Sequence, residues 1–154
     1  MADYYADSSV LVKRHVRETG TDWFRGLVNP ASGNTIITAR VSMAEVFSAL
    51  NRRLREAHLN PADYTRIAND FAAVCAAEYD LVELTPAVIE RTRLLLERYP
   101  LRAYDAVQLA SALMTRETLV AAGLPSPAFL AADDRMLDAA QAEGLTADNP
   151  NRHP

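Results

Sequence analysis

Four of the 20 acidic residues stand apart by position. Asp7 closes the apolar run Tyr4-Tyr5-Ala6 and is followed by Ser8-Ser9 and Val10-Leu11-Val12. Asp133 follows Phe129-Leu130-Ala131 in the same way. Asp105 is the only charged residue of Ala103 to Met114, a stretch apolar around most of its circumference. An ionised carboxylate buried there needs a cation, an arginine or several donors to offset its lost hydration. Each of these acids also has a plainer role open to it. Asp7 and Asp133 can cap the helices that follow them, and Arg102, three residues before Asp105, can form an ion pair with it. Glu45 is weaker: a helical wheel sets it away from the stripe of Met43, Val46, Phe47, Leu50 and Leu54, as an exposed glutamate would be. Its one merit is a place in the first turn after the apolar segment containing Ile36-Ile37.

The elements that must position these acids alternate in type. Tyr4-Ala6, Thr35-Thr38, Leu81-Leu84 and Ala128-Ala131 are short, apolar or β-branched runs and predict strands. Helices are predicted over Val10–Arg17, Thr21–Leu27, Ser42–His58, Pro61–Ala77, Pro86–Arg98, Arg102–Arg116 and Asp133–Glu143. Pro61 and Pro86 suit first helical turns, and Gly144 marks a stop. Strands separated by helices imply crossover connections, hence an α/β fold of three layers with a mainly parallel sheet of four to five strands. In such sheets ligands bind outside the carboxyl ends of the strands, which is where Asp7 and Asp133 fall. One domain is expected over residues 1–148, with a frayed tail over 149–154.

Composition narrows the setting. Hydrophobic residues make up 49% and charged residues 23% of the 154, the balance of a globular protein rather than a disordered one. No run nears the roughly 18 apolar residues of a membrane span, and Met1 to Tyr5 lacks the basic start and apolar core of a secretory signal. With Cys75 alone, no internal disulfide can form, so a cytoplasmic location is expected. Cys75 lies in an apolar run as a packing residue, and His15, His58 and His153 make no metal-ligand spacing. The net charge of -4 argues against a general nucleic-acid binder, although bound metal can neutralise an acidic site.

Four segments together resemble one known family. Tyr5-Ala6-Asp7-Ser8-Ser9-Val10-Leu11-Val12-Lys13 is similar to the opening of PIN-domain proteins, especially the VapC toxins of bacterial toxin–antitoxin pairs. Ser42-Met43-Ala44-Glu45-Val46 resembles their second acidic motif, and Leu101 to Ala110, containing Tyr104-Asp105-Ala106, their third. Phe129 to Leu137, then Glu143-Gly144-Leu145, resembles the fourth. Each motif is weak alone; four in order across nearly the whole chain are specific.

The resemblance implies a PIN-like α/β/α fold and a Mg²⁺- or Mn²⁺-dependent endoribonuclease that hydrolyses phosphodiesters with metal-activated water, leaving a 5′-phosphate and a 3′-hydroxyl. It assigns Asp7, Glu45, Asp105 and Asp133 to the catalytic metal site and gives the Ser9 hydroxyl a supporting role. Ala131 departs from the Thr or Ser of many relatives and so removes a hydroxyl beside the fourth carboxylate. The chemistry is self-consistent. Hard cations prefer carboxylate oxygens, and an anionic phosphodiester needs charge neutralised before water attacks.

Lys13, Arg14 and Arg40 follow the first two strands and are candidate RNA contacts through phosphate, while a solvated face accounts for them equally. Lys13 is the only lysine beside 15 arginines, and Arg52, Arg53 and Arg55 lie farther along the third predicted helix. By resemblance, the partners are an RNA substrate, a VapB-like antitoxin laid into a groove between helices, and a second copy in a homodimer. Two alternatives stay open: an RNA-processing PIN nuclease without an antitoxin, and a non-catalytic PIN-like binding module.

Overall fold

The computed structural model describes all 154 residues. Five strands form one sheet: β1 (Asp3–Ala6), β2 (Thr35–Ala39), β3 (Tyr79–Val82), β4 (Ala128–Leu130) and β5 (Ala147–Asp148). Every pairing is parallel, and the order is β3-β2-β1-β4-β5. Seven helices cover the two faces: α1 (Ser8–Leu11), α2 (Thr21–Leu27), α3 (Val41–Arg55), α4 (Pro61–Glu78), α5 (Pro86–Arg98), α6 (Ala103–Ala121) and α7 (Asp134–Ala142). The predicted three-layer α/β/α class is the observed one.

Strand alternation explains the layers. Side chains along a strand point to opposite faces in turn. Tyr5, Ile37 and Phe129 enter the core beneath α5, α6 and α7, while Ala6, Ile36 and Leu130 enter the core beneath α1 to α4. Both faces are therefore apolar, as a parallel sheet between two helical layers requires. Tyr5 and Phe129 stack within the first core at 5.7 Å between ring centres. Phe47 and Phe71 meet edge to face in the second.

Local chemistry starts the helices where the sequence predicts. Asn60 accepts from the Asp63 N–H at 2.7 Å, ahead of Pro61 at the first turn of α4. Thr85 accepts from the Val88 N–H at 3.2 Å, ahead of Pro86 in α5. These side chains satisfy donors that the first turn leaves open.

Several boundaries differ from the sequence reading. The first helix runs only from Ser8 to Leu11 and tightens into a 3₁₀ turn over Val12–Arg14. It starts earlier than predicted, at Ser8, with Asp7 as the cap accepting from the Val10 N–H. β3 begins at Tyr79 because its register is set by β2, with Tyr79 opposite Ile36 and Val82 opposite Ala39. α6 runs past Arg116 to Ala121, and Gly123, at φ +77°, follows its end.

The tail is not frayed. Asn149 and Pro150 are buried, and Pro150–Arg152 makes a 3₁₀ turn capped by Asn149. His153 stacks on Trp23 at 4.3 Å between rings and bonds Asp148 across 2.9 Å. Gly20 permits the approach: at φ +83°, a Cβ there would stand 2.4 Å from the Pro150 carbonyl oxygen.

The strand order turns at the centre of the sheet. From β1 the chain builds outward to β2 and β3, then returns to lay β4 and β5 on the other side. A crevice at the carboxyl ends of β1 and β4 results, the usual binding place in such folds. Asp7 directly follows β1, and Asp133 lies three residues beyond the end of β4.

Candidate active site

Asp7 is fully withdrawn from water, with 4% of its surface exposed. Ser9 Oγ donates to its Oδ1 at 2.5 Å, and the Val10 N–H donates to the same oxygen at 3.2 Å. Ser9 also accepts from the Ala132 N–H at 3.0 Å. One hydroxyl thus ties the first carboxylate to the loop that carries the fourth.

Glu45 is half-buried, contrary to its place on the wheel. Ser8 Oγ donates to its Oε2 at 3.2 Å, and Gln108 Nε2 donates to its Oε1 at 2.7 Å. Gln108 is buried and was not singled out from the sequence. Its Nε2 also donates to Ser42 Oγ at 2.7 Å, while its Oε1 accepts from the Tyr5 hydroxyl at 2.8 Å. Ser42 shares a hydrogen bond with Thr38 at 2.8 Å, and Thr38 donates to the Ala6 carbonyl at 2.7 Å. A buried chain of polar groups therefore runs from the central strand to Glu45. The sequence signal was available: Gln108 is an amide three residues beyond Asp105, inside the same apolar stretch.

Asp105 sits in the first turn of α6, and Arg102 forms no ion pair with it. The internal salt bridge considered from the sequence is absent. Asp133 does cap α7: the Arg135 N–H donates to its Oδ1 at 2.9 Å, and the Arg135 guanidinium meets its Oδ2 at 3.3 Å.

The electrostatics separate the four acids. Burial lifts the Asp7 pKa to about 7 against the donors Ser9 and Val10, and the charges of Glu45 and Asp105 add to the rise. Burial also raises Glu45, opposed by the Gln108 and Ser8 bonds, with the Asp105 charge adding to the rise. Asp105 is raised by burial and then by Asp133, opposed by Arg102 and Arg135. For Asp133, slight burial is outweighed by the Arg135 hydrogen bonds and charge, so its pKa falls. Asp7, Glu45 and Asp105 thus form an electrostatically coupled group without an ion pair, and Asp133 is held by one.

This donor set has the chemistry of a hard-cation site: carboxylate oxygens, mutual repulsion and no cationic side chain bonded to three of the four acids. As the side chains stand, no three of them converge on one point within ligand reach. Asp133 in particular is turned onto Arg135.

Of the expected RNA contacts only Lys13 lies at the cleft beside Glu45, and it is bonded internally. Lys13 is 3% exposed, and its Nζ donates to Glu18 at 2.9 Å, the Thr19 carbonyl at 2.8 Å and Asn151 at 2.8 Å. With all three protons used internally it is a structural cation, which corrects its assignment as a phosphate contact. Arg14 pairs with Glu78 at 2.7 Å, and Arg40 forms a bidentate pair with Glu83. Neither lines the cleft beside the acids. That cleft, about 1050 Å³, is lined by Ser8, Ser9 and Glu45 and by Arg52, Arg55 and Arg102.

Comparison with known proteins places this geometry. A sequence model of the PIN domain family matches residues 4–140, which include all four acids. No match by sequence occurs among curated proteins. Among solved structures, a toxin–antitoxin complex from Klebsiella pneumoniae superposes with a TM-score of 0.60 at 15% identity, covering 96% of this chain and 97% of that one. A protein from Pyrobaculum aerophilum gives a TM-score of 0.60 at 19% identity, over 95% and 83% of the two chains. VapBC2 from Rickettsia felis, bound to a DNA fragment from its promoter, gives 0.62 at 9% identity, over 96% and 98%. At these identities the structures speak to the fold, and the sequence match to the family. This chain belongs to the PIN-domain family.

Proposed function

We propose that this protein is a Mg²⁺- or Mn²⁺-dependent endoribonuclease and the toxin of a toxin–antitoxin pair. The observation that carries the nuclease reading is the burial of Asp7, Glu45 and Asp105 together, without a cationic partner, at the sheet's switch point. Three coupled carboxylates left unpaired are costly in a fold whose other buried charge, Lys13, is fully bonded. Membership of the PIN-domain family supports a nuclease.

Asp7, Glu45 and Asp105 would hold the cation, with Asp133 joining once its bond to Arg135 opens. Bound there, a divalent ion supplies charge neutralisation at the phosphodiester and a more acidic water. The chain's own residues orient the carboxylates. Ser9 and the Val10 N–H fix Asp7, and Ser8 and Gln108 fix the two oxygens of Glu45. Ser9, through Ala132, sets the distance between the first and fourth acids. It supplies a hydroxyl in the region where Ala131 lacks one.

The toxin reading draws on the structural relative described as a toxin–antitoxin complex and on the likeness to VapBC2, and an antitoxin partner belongs to it. A homodimer is proposed with it on the resemblance alone. A non-catalytic binding module is favoured by one observation, the lack of convergence of the acids. Purified protein incubated with total bacterial RNA and Mg²⁺ or Mn²⁺, beside EDTA and Asp105→Asn controls, separates the two. Discrete cleavage lost in both controls supports the nuclease; no cleavage in several RNA pools supports the module. Growth arrest on expression, relieved by a small protein encoded beside the gene, supports the toxin.

A further inference from the structure

Asn149 is 6% exposed, and both ends of its side-chain amide are engaged. Its Oδ1 accepts from the Asn151 N–H at 2.9 Å, which caps the 3₁₀ turn of the tail. Its Nδ2 reaches out of the tail, donating to the Ala132 carbonyl at 3.4 Å and to Asp134 Oδ1 at 3.2 Å. Those two residues flank Asp133, the fourth acid. The Ala132 carbonyl belongs to the same rigid peptide unit as the Asp133 N–H, so the amide grips the backbone that enters Asp133. Asn149 lies beyond residues 4–140, the span that matches the PIN domain.

The loop over 131–134 depends on grips of this kind. Ala131 is fully buried and offers no side-chain hydrogen bond, and the Asp133 carboxylate is turned onto Arg135. The loop is held from two sides. Toward the acids, Ser9 Oγ accepts from the Ala132 N–H at 3.0 Å and donates to Asp7. Toward the tail, the Ala131 N–H donates to the Asp148 carbonyl at 3.3 Å, Asn149 holds Ala132 and Asp134, and Arg152 meets Asp134 at 3.0 Å. Arg152 is exposed, and an exposed ion pair fixes little. The Asn149 amide is buried, and its own strap is anchored by Asn151 on Lys13 and by His153 on Trp23.

We infer that Asn149 is a positioning residue for the fourth carboxylate: its amide sets the Ala132–Asp133 peptide, and with it the place from which Asp133 reaches the cation. The inference rests on the metal-dependent reading for what Asp133 does there, and adds the residue of the tail that fixes it. A purely structural Asn149 caps the 3₁₀ turn and does nothing more.

Asn149→Ser separates the two roles. Serine still caps the turn, and its shorter side chain withdraws the donor from Ala132 and Asp134 without adding charge. The first measurement is amide hydrogen exchange in the metal-free 154-residue protein. The Ala132 N–H, bonded to Ser9, and the Met136 N–H, bonded to the Asp133 carbonyl, report the loop and the start of α7. In Asn149→Ser both should exchange roughly five- to tenfold faster, the effect of one hydrogen bond on local opening. The Asn151 N–H, still capped, and the Val88 N–H at the start of α5 should change little. The second measurement is Mn²⁺ titration, in which Asn149→Ser should weaken binding about tenfold, as loss of an outer partner of a metal site does. In an Asp133→Asn background the same change should have no further effect. Asn149→Asp, which keeps the capping oxygen and sets a carboxylate against Asp134, is the second variant and should loosen the same two amides further.

Unchanged exchange at Ala132 and Met136, or an equal loss of Mn²⁺ affinity with and without the Asp133 carboxylate, overturns the positioning role. Saturable Mn²⁺ binding that is equal in the natural chain and in Asn149→Ser sinks that role alone. No Mn²⁺ binding by the natural chain, with the loop amides still accelerated in the variant, sinks the metal reading and leaves Asn149 as the residue that sets the loop.

Discussion

Gln108 donates to Glu45 across 2.7 Å, and the same amide group donates to Ser42 while its oxygen accepts from Tyr5. The carboxylate of one helix is thus oriented by the amide of another, which is itself fixed by a strand. Replacing Gln108 with Leu keeps the volume but removes the partner of the buried Tyr5 hydroxyl and of one Glu45 oxygen, while Ser42 keeps its bond to Thr38. Each unsatisfied group costs about 1–3 kcal/mol. A stability loss of about 2–4 kcal/mol by denaturant unfolding is expected. Gln108→Glu is the more informative change, because it places a second acid against Glu45 in place of a donor. Cleavage should fall, and the rising limb of its pH profile should move to higher pH. An unshifted profile would remove Gln108 from the positioning of Glu45.

Asp7 links the site to pH. In the unfolded chain its carboxyl ionises near 3.8, and burial lifts it to about 7 in the native state. Between those values the native protein binds more protons than the unfolded chain. The group's contribution to stability is then fully present below about pH 4 and is lost as pH rises through about 7. Metal-free protein should therefore lose Tm between pH 5 and pH 8 from this group. Asp7→Asn should flatten that loss and gain on the order of 2 kcal/mol at pH 8, a few degrees of Tm. Mg²⁺ should raise the Tm of the natural chain and not of the variant. Parallel Tm curves in EDTA for the two proteins would show that Asp7 is not held in this state.

Lys13 and the tail form one unit. Lys13 Nζ joins Glu18 and the Thr19 carbonyl to Asn151, and Glu18 is joined in turn by Arg53. Lys13→Met should cost about 3 kcal/mol, since it strands buried acceptors. Removal of residues 149–154 should cost a similar amount, through the lost Trp23–His153 stack and the Asn149 and Asn151 bonds. Because the two changes share a contact, their combined cost should fall short of the sum by about 1 kcal/mol. Strict additivity in a double-mutant cycle would contradict the shared unit. Full stability with weakened RNA binding in Lys13→Met would restore it as a phosphate contact.

What the sequence reveals of this site follows from how local each signal is. Asp105 was legible because a charge inside an apolar helix is a conflict visible within one turn. Asp7 and Asp133 were legible because strand ends are local too. Glu45 was not, since its partial burial depends on Ser8 and Gln108, which arrive from 37 and 63 residues away. Lys13 was misread for the same reason: its partner Asn151 lies 138 residues on. The fifth strand, Ala147–Asp148, is too short to carry a period, and only its pairing with β4 defines it. Asn149 reads as part of a frayed tail because its partners Asp134 and Ala132 stand 15 and 17 residues back, across α7.

The central claim is that the buried acids hold a divalent cation. Calorimetric titration of Mn²⁺ into the purified protein at pH 6 and pH 8, beside Asp105→Asn and Glu45→Gln, tests it most directly. The account predicts saturable binding that tightens with pH as Asp7 ionises and weakens at least tenfold in each variant. Binding that is no tighter in the natural chain than in the variants, or that does not change with pH, would contradict it.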